Sequence, residues 1–257
     1  MKRRKLRAGV FSFTACYGCQ LQIIKMEELT EVLKAIDFAE FELVSDNREE
    51  GPLDVAFVEG GISREEQLPA LKKIRERAGF LVAIGACACD AGIPGIKSFM
   101  NEAEAERIVY GEDFRKNLHS ISPRPIDKYV KVDYYMNGCP IERFEFHKLA
   151  KELAIGRRPR EKRHAVCLEC KIKENRCLFD YGIPCLGPIT NGGCNALCPT
   201  NNAACEGCRG ALQDANLPAF AALLEQHGVS KARVKQMLER FSGRTNLFES
   251  FVEKMRE

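Results

Sequence analysis

The stretch Gly79-Phe-Leu-Val-Ala-Ile-Gly-Ala-Cys87 decides the fold of this chain of 257 residues. Its apolar residues follow one another without the alternation of a half-exposed strand, which is typical of a parallel strand covered on both faces. A glycine and then a cysteine come directly behind the run. We therefore predict a buried strand over 79–85 that places Cys87 at the edge of a parallel sheet.

Segments of two kinds alternate on either side of this strand. Strand candidates lie at 6–14, 41–44, 53–58 and 129–135, and helix candidates lie at about 20–36, from the N-cap candidate Ser63 to about Arg77, and at 142–155. Strands that alternate with helices predict an α/β domain with a largely parallel sheet. Residues 91–127 give no clear pattern, because prolines interrupt them.

Four cysteines follow the carboxyl ends of these strands. Cys16 and Cys19 follow the first strand, Cys87 follows 79–85, and Cys139 follows the last strand. Ligands bind at this edge of open parallel sheets, so residues distant in sequence can meet there. Four thiolates are what one cubane iron–sulfur cluster needs. Glu59 also follows a strand, and it is either a carboxylate that orders a loop beside this site or a surface residue.

The neighbours of these cysteines bear on the assignment. Gly18, Gly85 and Gly138 would permit tight turns and let backbone N–H groups approach cluster sulfurs. Cys89 stands two residues behind Cys87 and competes with it for the ligand role. We assign the role to Cys87 and expect Cys89 to be a small residue without it.

The pattern changes after the basic, proline-containing segment 156–163. Residues 164–210 hold eight cysteines and several turn-forming pairs but little apolar periodicity, so metal clusters are expected to hold this segment together. The spacing over 217–241 then predicts a pair of helices. We predict two domains, an α/β domain over 1–156 and a smaller, irregular and helical domain over 157–257.

The eight cysteines have the spacing of two four-thiolate sites. The patterns are C-x2-C-x6-C-x7-C for Cys167, Cys170, Cys177 and Cys185, and C-x3-C-x6-C-x2-C for Cys194, Cys198, Cys205 and Cys208. This grouping follows sequence order. An interleaved grouping, as in bacterial ferredoxins, stays open.

Other uses of these cysteines also have to be considered. C-x-x-C pairs are common zinc ligands, and a C-x-x-C after a strand is also typical of a thioredoxin-like dithiol. Two zinc sites do not explain a third four-cysteine site in the α/β part. A thioredoxin-like protein would not need Cys87 and Cys139 in equivalent positions. Iron–sulfur clusters explain all three groups.

Composition excludes several classes of function. With 39 basic and 36 acidic residues, the net charge of +3 gives no electrostatic footprint for nucleic acid. No apolar stretch approaches the roughly 20 residues of a membrane span, and no secretory signal core is present. Thirteen cysteines without such a signal favour metal binding in the cytoplasm over disulfides. Motifs for phosphate binding, dinucleotide binding or a Ser/His/Asp triad are missing, so we predict electron transfer without catalytic residues.

Several short motifs together resemble one family. They are Thr14-Ala-Cys-Tyr-Gly-Cys19, Val58-Glu-Gly60, Gly85-Ala-Cys-Ala88, Asn137-Gly-Cys-Pro140, and a cysteine-rich tail that ends in Cys205-Glu-Gly-Cys208. Over about residues 6–210 the chain resembles the small, electron-transferring subunit of nickel–iron hydrogenases. The resemblance implies a flavodoxin-like domain, a parallel sheet with helices on both faces. This domain would hold the proximal cluster against a large subunit that carries the nickel–iron centre.

The resemblance also assigns three 4Fe-4S clusters by order. The proximal ligands are Cys16, Cys19, Cys87 and Cys139, the medial ligands are Cys194, Cys198, Cys205 and Cys208, and the distal ligands are Cys167, Cys170, Cys177 and Cys185. Periplasmic relatives have a distal histidine ligand and a proline where this chain has Cys198. These departures imply the cytoplasmic multi-subunit branch and look most like sulfhydrogenase delta subunits, which pass electrons to a downstream iron–sulfur or flavin subunit that uses NADP(H).

Two further hypotheses belong to other classes. The iron–sulfur subunit of a respiratory NADH dehydrogenase shares the α/β domain, but it resembles an adjacent Cys-Cys pair where this chain has Cys16 and Cys19, and it lacks the eight-cysteine tail. A zinc-stabilised interaction module without a redox role is the other, and metal analysis separates it.

Overall fold

A parallel sheet of five strands forms the frame of the first part of the chain. Its five strands are β1 (Leu6–Ser12), β2 (Ile36–Phe41), β3 (Leu53–Glu59), β5 (Ala78–Ile84) and β7 (Tyr134–Met136), and two further strands, β4 (Ile62–Arg64) and β6 (Ser120–Arg124), form a separate pair. The sheet has the order β2-β1-β3-β5-β7, and all its neighbouring strands are parallel. Counted along the sheet this is the flavodoxin-like order, and the predicted fold class is confirmed.

The computed structural model describes residues 4–46, 48–111, 120–160 and 164–241. The chain divides into two compact units, Met1–Glu161 and Lys162–Glu257. The first unit holds the sheet, the antiparallel pair of β4 and β6, and six helices in its described part, α1 (Gly18–Ile24), α2 (Leu29–Ala35), α3 (Gln67–Arg77), α4 (Gly85–Asp90), α5 (Glu102–Tyr110) and α6 (Arg143–Ala154).

Both faces of the sheet are covered. Side chains alternate along a strand, so Val10, Phe57 and Val82 belong to one core group, with residues of α1, α2 and α6. Their neighbours Phe11, Val58 and Leu81 belong to a second core group, with residues of α3 and α4. This two-sided burial explains why the central strands read as continuous apolar runs.

Two sequence predictions in this unit are wrong at their boundaries. The single helix over 20–36 is two helices, and the strand placed at 41–44 is β2 at Ile36–Phe41, followed by a turn. Because β2 pairs with β1 from Leu6 opposite Ile36, the backbone of Ile36 is taken into the sheet. A short apolar run cannot be separated from a helix by periodicity alone.

Two other elements differ from the predicted ones, and at both a side-chain oxygen accepts backbone N–H groups. Ser63 lies in β4 and does not cap α3, which begins at Gln67. The Oε1 atom of Gln67 accepts hydrogen bonds from the backbone N–H groups of Ser63 and Arg64 at 2.9 and 3.1 Å. The strand predicted over 129–135 is β7 at Tyr134–Met136. Before it, the Asp133 carboxylate accepts the N–H of Leu81 at 2.8 Å.

The second unit has little regular structure. Its described helices are α7 (Val166–Ile172), α8 (Leu197–Thr200), α9 (Leu217–Gln226) and α10 (Lys231–Glu239), with short 3-10 turns at Leu178–Tyr181 and Gly187–Ile189. The predicted helix pair is present as α9 and α10. A small core group consists of Val166, Leu178, Cys185, Ala196 and Cys205, so cysteines form part of its apolar packing.

Across the described residues, the helices are too short or too polar to cross a bilayer.

Candidate metal centres

The carboxyl edge of the sheet brings Cys16, Cys19, Cys87 and Cys139 together as a first thiol set. The loop after β1 carries Cys16 and leads into α1 with Cys19, β5 runs directly into α4 with Cys87, and the loop after β7 carries Cys139. Cys19 is buried and Cys87 is half-buried, whereas Cys16 and Cys139 are exposed.

Mutual effects on their pKa values show that these thiols are neighbours. Burial raises the pKa of Cys19 far above its usual range, and the Glu59 carboxylate and the charges of Cys87 and Cys139 raise it further. Burial raises the pKa of Cys87 to about 12, with contributions from Cys139 and Cys16. Thiols of raised pKa hold their protons, so metal binding to this set must release them.

Two glycines lie directly against sulfurs of this set. A Cβ atom at Gly85, whose φ is 83°, would lie 2.4 Å from the Sγ of Cys19, and one at Gly18 would lie 3.2 Å from the Sγ of Cys16. Side chains there would fill the space around the thiols. A set of four sulfurs fits a cubane cluster in donor chemistry.

Glu59 is a buried part of this site. It is 2% exposed, and its Oε1 accepts a hydrogen bond from the backbone N–H of Cys19 at 3.1 Å. Its Oε2 is buried without a hydrogen-bond partner among the described residues. Burial raises the pKa of this carboxyl. The surface interpretation of Glu59 is therefore wrong, and the carboxylate holds the first turn of α1, which carries Cys19.

Cys89 lies in the second core group rather than with the first thiol set. It is buried, and its Sγ donates to the carbonyl oxygen of Ala83 at 3.5 Å. On α4 the side chain two residues on from Cys87 leaves the helix on a different side. The placement supports the assignment of the ligand role to Cys87.

A polar pair joins the end of α4 to the loop that carries Cys139. The Nδ2 of Asn137, two residues before Cys139, donates to the Oδ2 of Asp90 at 2.8 Å. Asp90 lies at the end of α4, three residues after Cys87, and burial raises its pKa to about 7. In the sequence, Asn137 stands out only as part of the Asn137-Gly-Cys-Pro140 motif. Nothing there indicates Asp90 as its partner, because the two residues are 47 positions apart.

A second thiol set forms around α7 in the second unit. Cys167 and Cys170 lie on α7, and burial raises the pKa of Cys167 to about 12, with smaller contributions from Cys185, Cys170 and Cys177. A Cβ atom at Gly187 would lie 3.2 Å from the Sγ of Cys167 and 3.5 Å from that of Cys185. These contacts support the sequential grouping of the four thiols.

The third thiol set, Cys194, Cys198, Cys205 and Cys208, adjoins the second. Burial raises the pKa of Cys198, with Cys194 the next contributor. Burial also raises the pKa of Cys205, and Cys185 of the second thiol set contributes more to this rise than Cys208 does. The backbone N–H of Cys205 donates to the Sγ of Cys185 at 3.3 Å. Within the described ranges, no three His, Cys, Asp or Glu side chains are arranged to hold a single metal ion.

His164 is not a member of any thiol set. Its Nε2 lies 2.8 Å from the Oε1 of Glu169, a residue on α7 that the sequence analysis overlooked. His164 is thus the half-buried partner of a residue that lies between two cysteines of α7.

Known proteins resemble this chain along most of its length. A family model described as NADH ubiquinone oxidoreductase, 20 Kd subunit, matches residues 16–153. The chain is 37% identical to sulfhydrogenase 2 subunit delta of Pyrococcus furiosus, across 86% of this chain and 93% of that protein. It is 31% identical to a vhu subunit of the F420-non-reducing hydrogenase of Methanocaldococcus jannaschii, across 80% of this chain and 82% of that protein.

A solved structure shows the same relation. A chain of an NAD+-reducing NiFe-hydrogenase in the H2-reduced state superimposes with a TM-score of 0.53 at 28% identity, covering 61% of this chain and 95% of that one.

Proposed function

The chain belongs to the NADH ubiquinone oxidoreductase 20 Kd subunit family and, within it, groups with hydrogenase small subunits, and on that premise we propose that it is the electron-transfer small subunit of a nickel–iron hydrogenase. The observation that carries the proposal is that twelve cysteines of one chain fall into three groups of four by their positions in the sequence. Eight of these cysteines lie beyond residue 153, where the family model ends, whereas the two hydrogenase relatives from Pyrococcus furiosus and Methanocaldococcus jannaschii align with 86% and 80% of the chain.

Each thiol set would hold one 4Fe-4S cluster, which supplies one-electron transfer when bound. The first thiol set would be the proximal site, within a domain over 1–156. The third would be the medial site and the second the distal site, within a domain over 157–257. The part of this chain is to position the sulfurs and to limit their contact with water, which set the properties of a cluster.

The first thiol set is proposed to face the large subunit that carries the nickel–iron centre. Cys16 and Cys139 are exposed, and the apolar side chains of Tyr17 and Leu21 beside them are 39% and 45% exposed. Apolar side chains around exposed ligands are typical of a surface that a partner covers. The active site would lie in that partner, which agrees with the lack of a catalytic constellation in the sequence.

The distal cluster is proposed to exchange electrons with a downstream iron–sulfur or flavin subunit that uses NADP(H), in a cytoplasmic complex. Four cysteines are available in each C-terminal set, with Cys198 completing the third. The structural relative named above is NAD+-reducing by its title, which supports a pyridine nucleotide as the acceptor class.

Anaerobic co-purification of the complex followed by metal analysis tests the proposal. We expect nickel in the complex, and about twelve irons and about twelve acid-labile sulfides for each copy of this chain. Zinc in place of iron would instead identify a zinc-stabilised interaction module. An iron-containing complex without nickel that oxidises NADH would favour the respiratory alternative.

A further inference from the structure

The carboxylate of Glu169 joins two cysteine-bearing segments of the second unit. Glu169 lies on α7 between the two cysteines of that helix, and its side chain is only 12% exposed. Its Oε1 accepts a hydrogen bond from the backbone N–H of Gly193 at 2.5 Å, and its Oε2 accepts one from the N–H of Ala196 at 3.2 Å. These two amides flank Cys194, so one side chain of the second thiol set's helix holds the loop of the third.

The loop that Glu169 holds has an unusual backbone. Asn195 and Ala196 have φ values of 55° and 49°, in the left-handed region that residues other than glycine rarely adopt. Such a conformation is kept only where its surroundings determine it. Left-handed turns also form concavities of backbone N–H groups that bind anions, and here the anion is the Glu169 carboxylate. The Ala196 side chain is fully buried, so the loop is fixed from both sides.

His164 completes the contact from outside. Its Nε2 lies 2.8 Å from the Oε1 of Glu169, and its backbone carbonyl accepts the N–H of Gly192 at 2.7 Å. A Cβ atom at Gly192 would lie 2.4 Å from the His164 ring, so this part of the loop lies directly against the imidazole. The carboxylate therefore has three hydrogen-bond partners, two of them backbone amides of the loop.

We propose that Glu169 is a positioning residue that sets the placement of the Cys194 loop against α7, and with it the relative placement of the second and third thiol sets. The inference rests on the proposed function, because it gives the contact a role between two clusters. The contact requires both carboxylate oxygens of Glu169 to accept hydrogen bonds, Oε1 from Gly193 and Oε2 from Ala196. Glutamine keeps the size of the side chain but offers an NH2 group where one backbone N–H needs an acceptor.

The test compares Glu169→Gln with Glu225→Gln in the anaerobically purified full chain within its complex. Glu225 is an exposed acid of the same unit, on α9, so its replacement removes the same charge without the contacts. Two readouts are measured, amide hydrogen exchange at Gly193 and Ala196, and the electron paramagnetic resonance spectrum of the reduced protein. Neighbouring reduced clusters interact magnetically, so their spectrum reports their relative placement.

In Glu169→Gln we expect exchange at Gly193 and Ala196 to rise by about tenfold or more, as loss of a charge-assisted hydrogen bond implies. We also expect an altered magnetic interaction signature, and Glu225→Gln should retain both wild-type readouts. Unchanged exchange and an unchanged spectrum in Glu169→Gln would overturn the inference. So would a uniform rise of exchange through α7 and α9, because it would make the carboxylate a general stabiliser of the unit.

Glu169→Asp keeps the test decisive if Glu169→Gln does not fold. It retains the charge on a shorter side chain, and we expect faster exchange confined to Gly193 and Ala196. Exchange at wild-type rates there would contradict the inference. The two proposals fail separately, since a wild-type protein without iron refutes the proposed function, while the exchange data still judge the contact between Glu169 and the loop.

Discussion

The first thiol set and the two C-terminal sets are held by opposite kinds of structure. Sheet strands and the helices that follow them carry the first set, over a core in which Val10, Phe57 and Val82 are almost fully buried. The second unit carries eight cysteines on short helices and turns, and two of the five buried residues of its core group are cysteines themselves. A sheet can place ligands before a metal arrives, whereas the cysteine-bearing part of the second unit packs partly through the ligands themselves.

Metal removal should separate the two units most strongly. With strong chelation under anaerobic, reducing conditions, we expect most of the second unit to lose its protection against amide exchange, because binding free energy of such small metal sites is folding free energy. Strands β1, β3 and β5 should keep theirs. Equal protection of both units against amide exchange after iron loss would contradict this difference between them.

Replacing a single cysteine of the first thiol set should have the next largest effect. Cys87→Ala should lower the iron content by about four atoms per chain and abolish hydrogen turnover of the assembled complex, with the sheet intact. Cys89→Ala is the matched control, and it should leave iron content and turnover unchanged, since Cys89 lies in the apolar core. If Cys89 proves essential and Cys87 dispensable, the assignment of the two is reversed.

The contribution of Asp90 to the stability of the first unit should fall as pH rises. Burial raises the pKa of Asp90 from 3.8 to about 7, so the folded protein holds a proton that the unfolded chain has released between these values. The free energy of unfolding therefore decreases as pH rises from about 4 to about 7 and then levels off.

Asp90→Asn should remove this dependence. Its stability relative to wild type should increase by up to about 4 kcal/mol between about pH 4 and about pH 8, measured by denaturant unfolding. A pH-independent difference between the two proteins would show that Asp90 is ionised in the folded state.

The smallest effect concerns the space beside Cys19. Gly85→Ala should cost about 2 kcal/mol of stability and lower iron occupancy, because a Cβ there meets a sulfur in addition to the strain of a positive φ. Gly111→Ala is the control for strain alone, since Gly111 has the same φ of 83° and no atom of the described residues within 4 Å of its Cβ position. It should cost about 1 kcal/mol and leave iron occupancy unchanged, as metal analysis of both variants would show.

Sequence patterns predict this protein unevenly, for physical reasons. The strand over 79–85 was confirmed as β5 at Ala78–Ile84, because a buried parallel strand leaves a continuous apolar run. The start of β2 at Ile36 was missed, since it depends on pairing with β1. The bond between Asn137 and Asp90 and the contacts of Glu169 join residues distant in sequence, and nothing in local spacing predicts them. The assignment of cysteines to clusters stays a prediction, supported by the grouping of the thiols.

The exposure of Cys16 and Cys139 has a consequence for the life of the protein before assembly. Oxidation of cysteine follows its accessibility, and these two thiols lie at the surface of the first unit. A newly made chain would thus carry these two sulfurs outward, as it does Cys198 of the third thiol set, until another protein covers them. A chain that waits for its partner in the presence of oxygen would be open to oxidation at the surface that the partner needs.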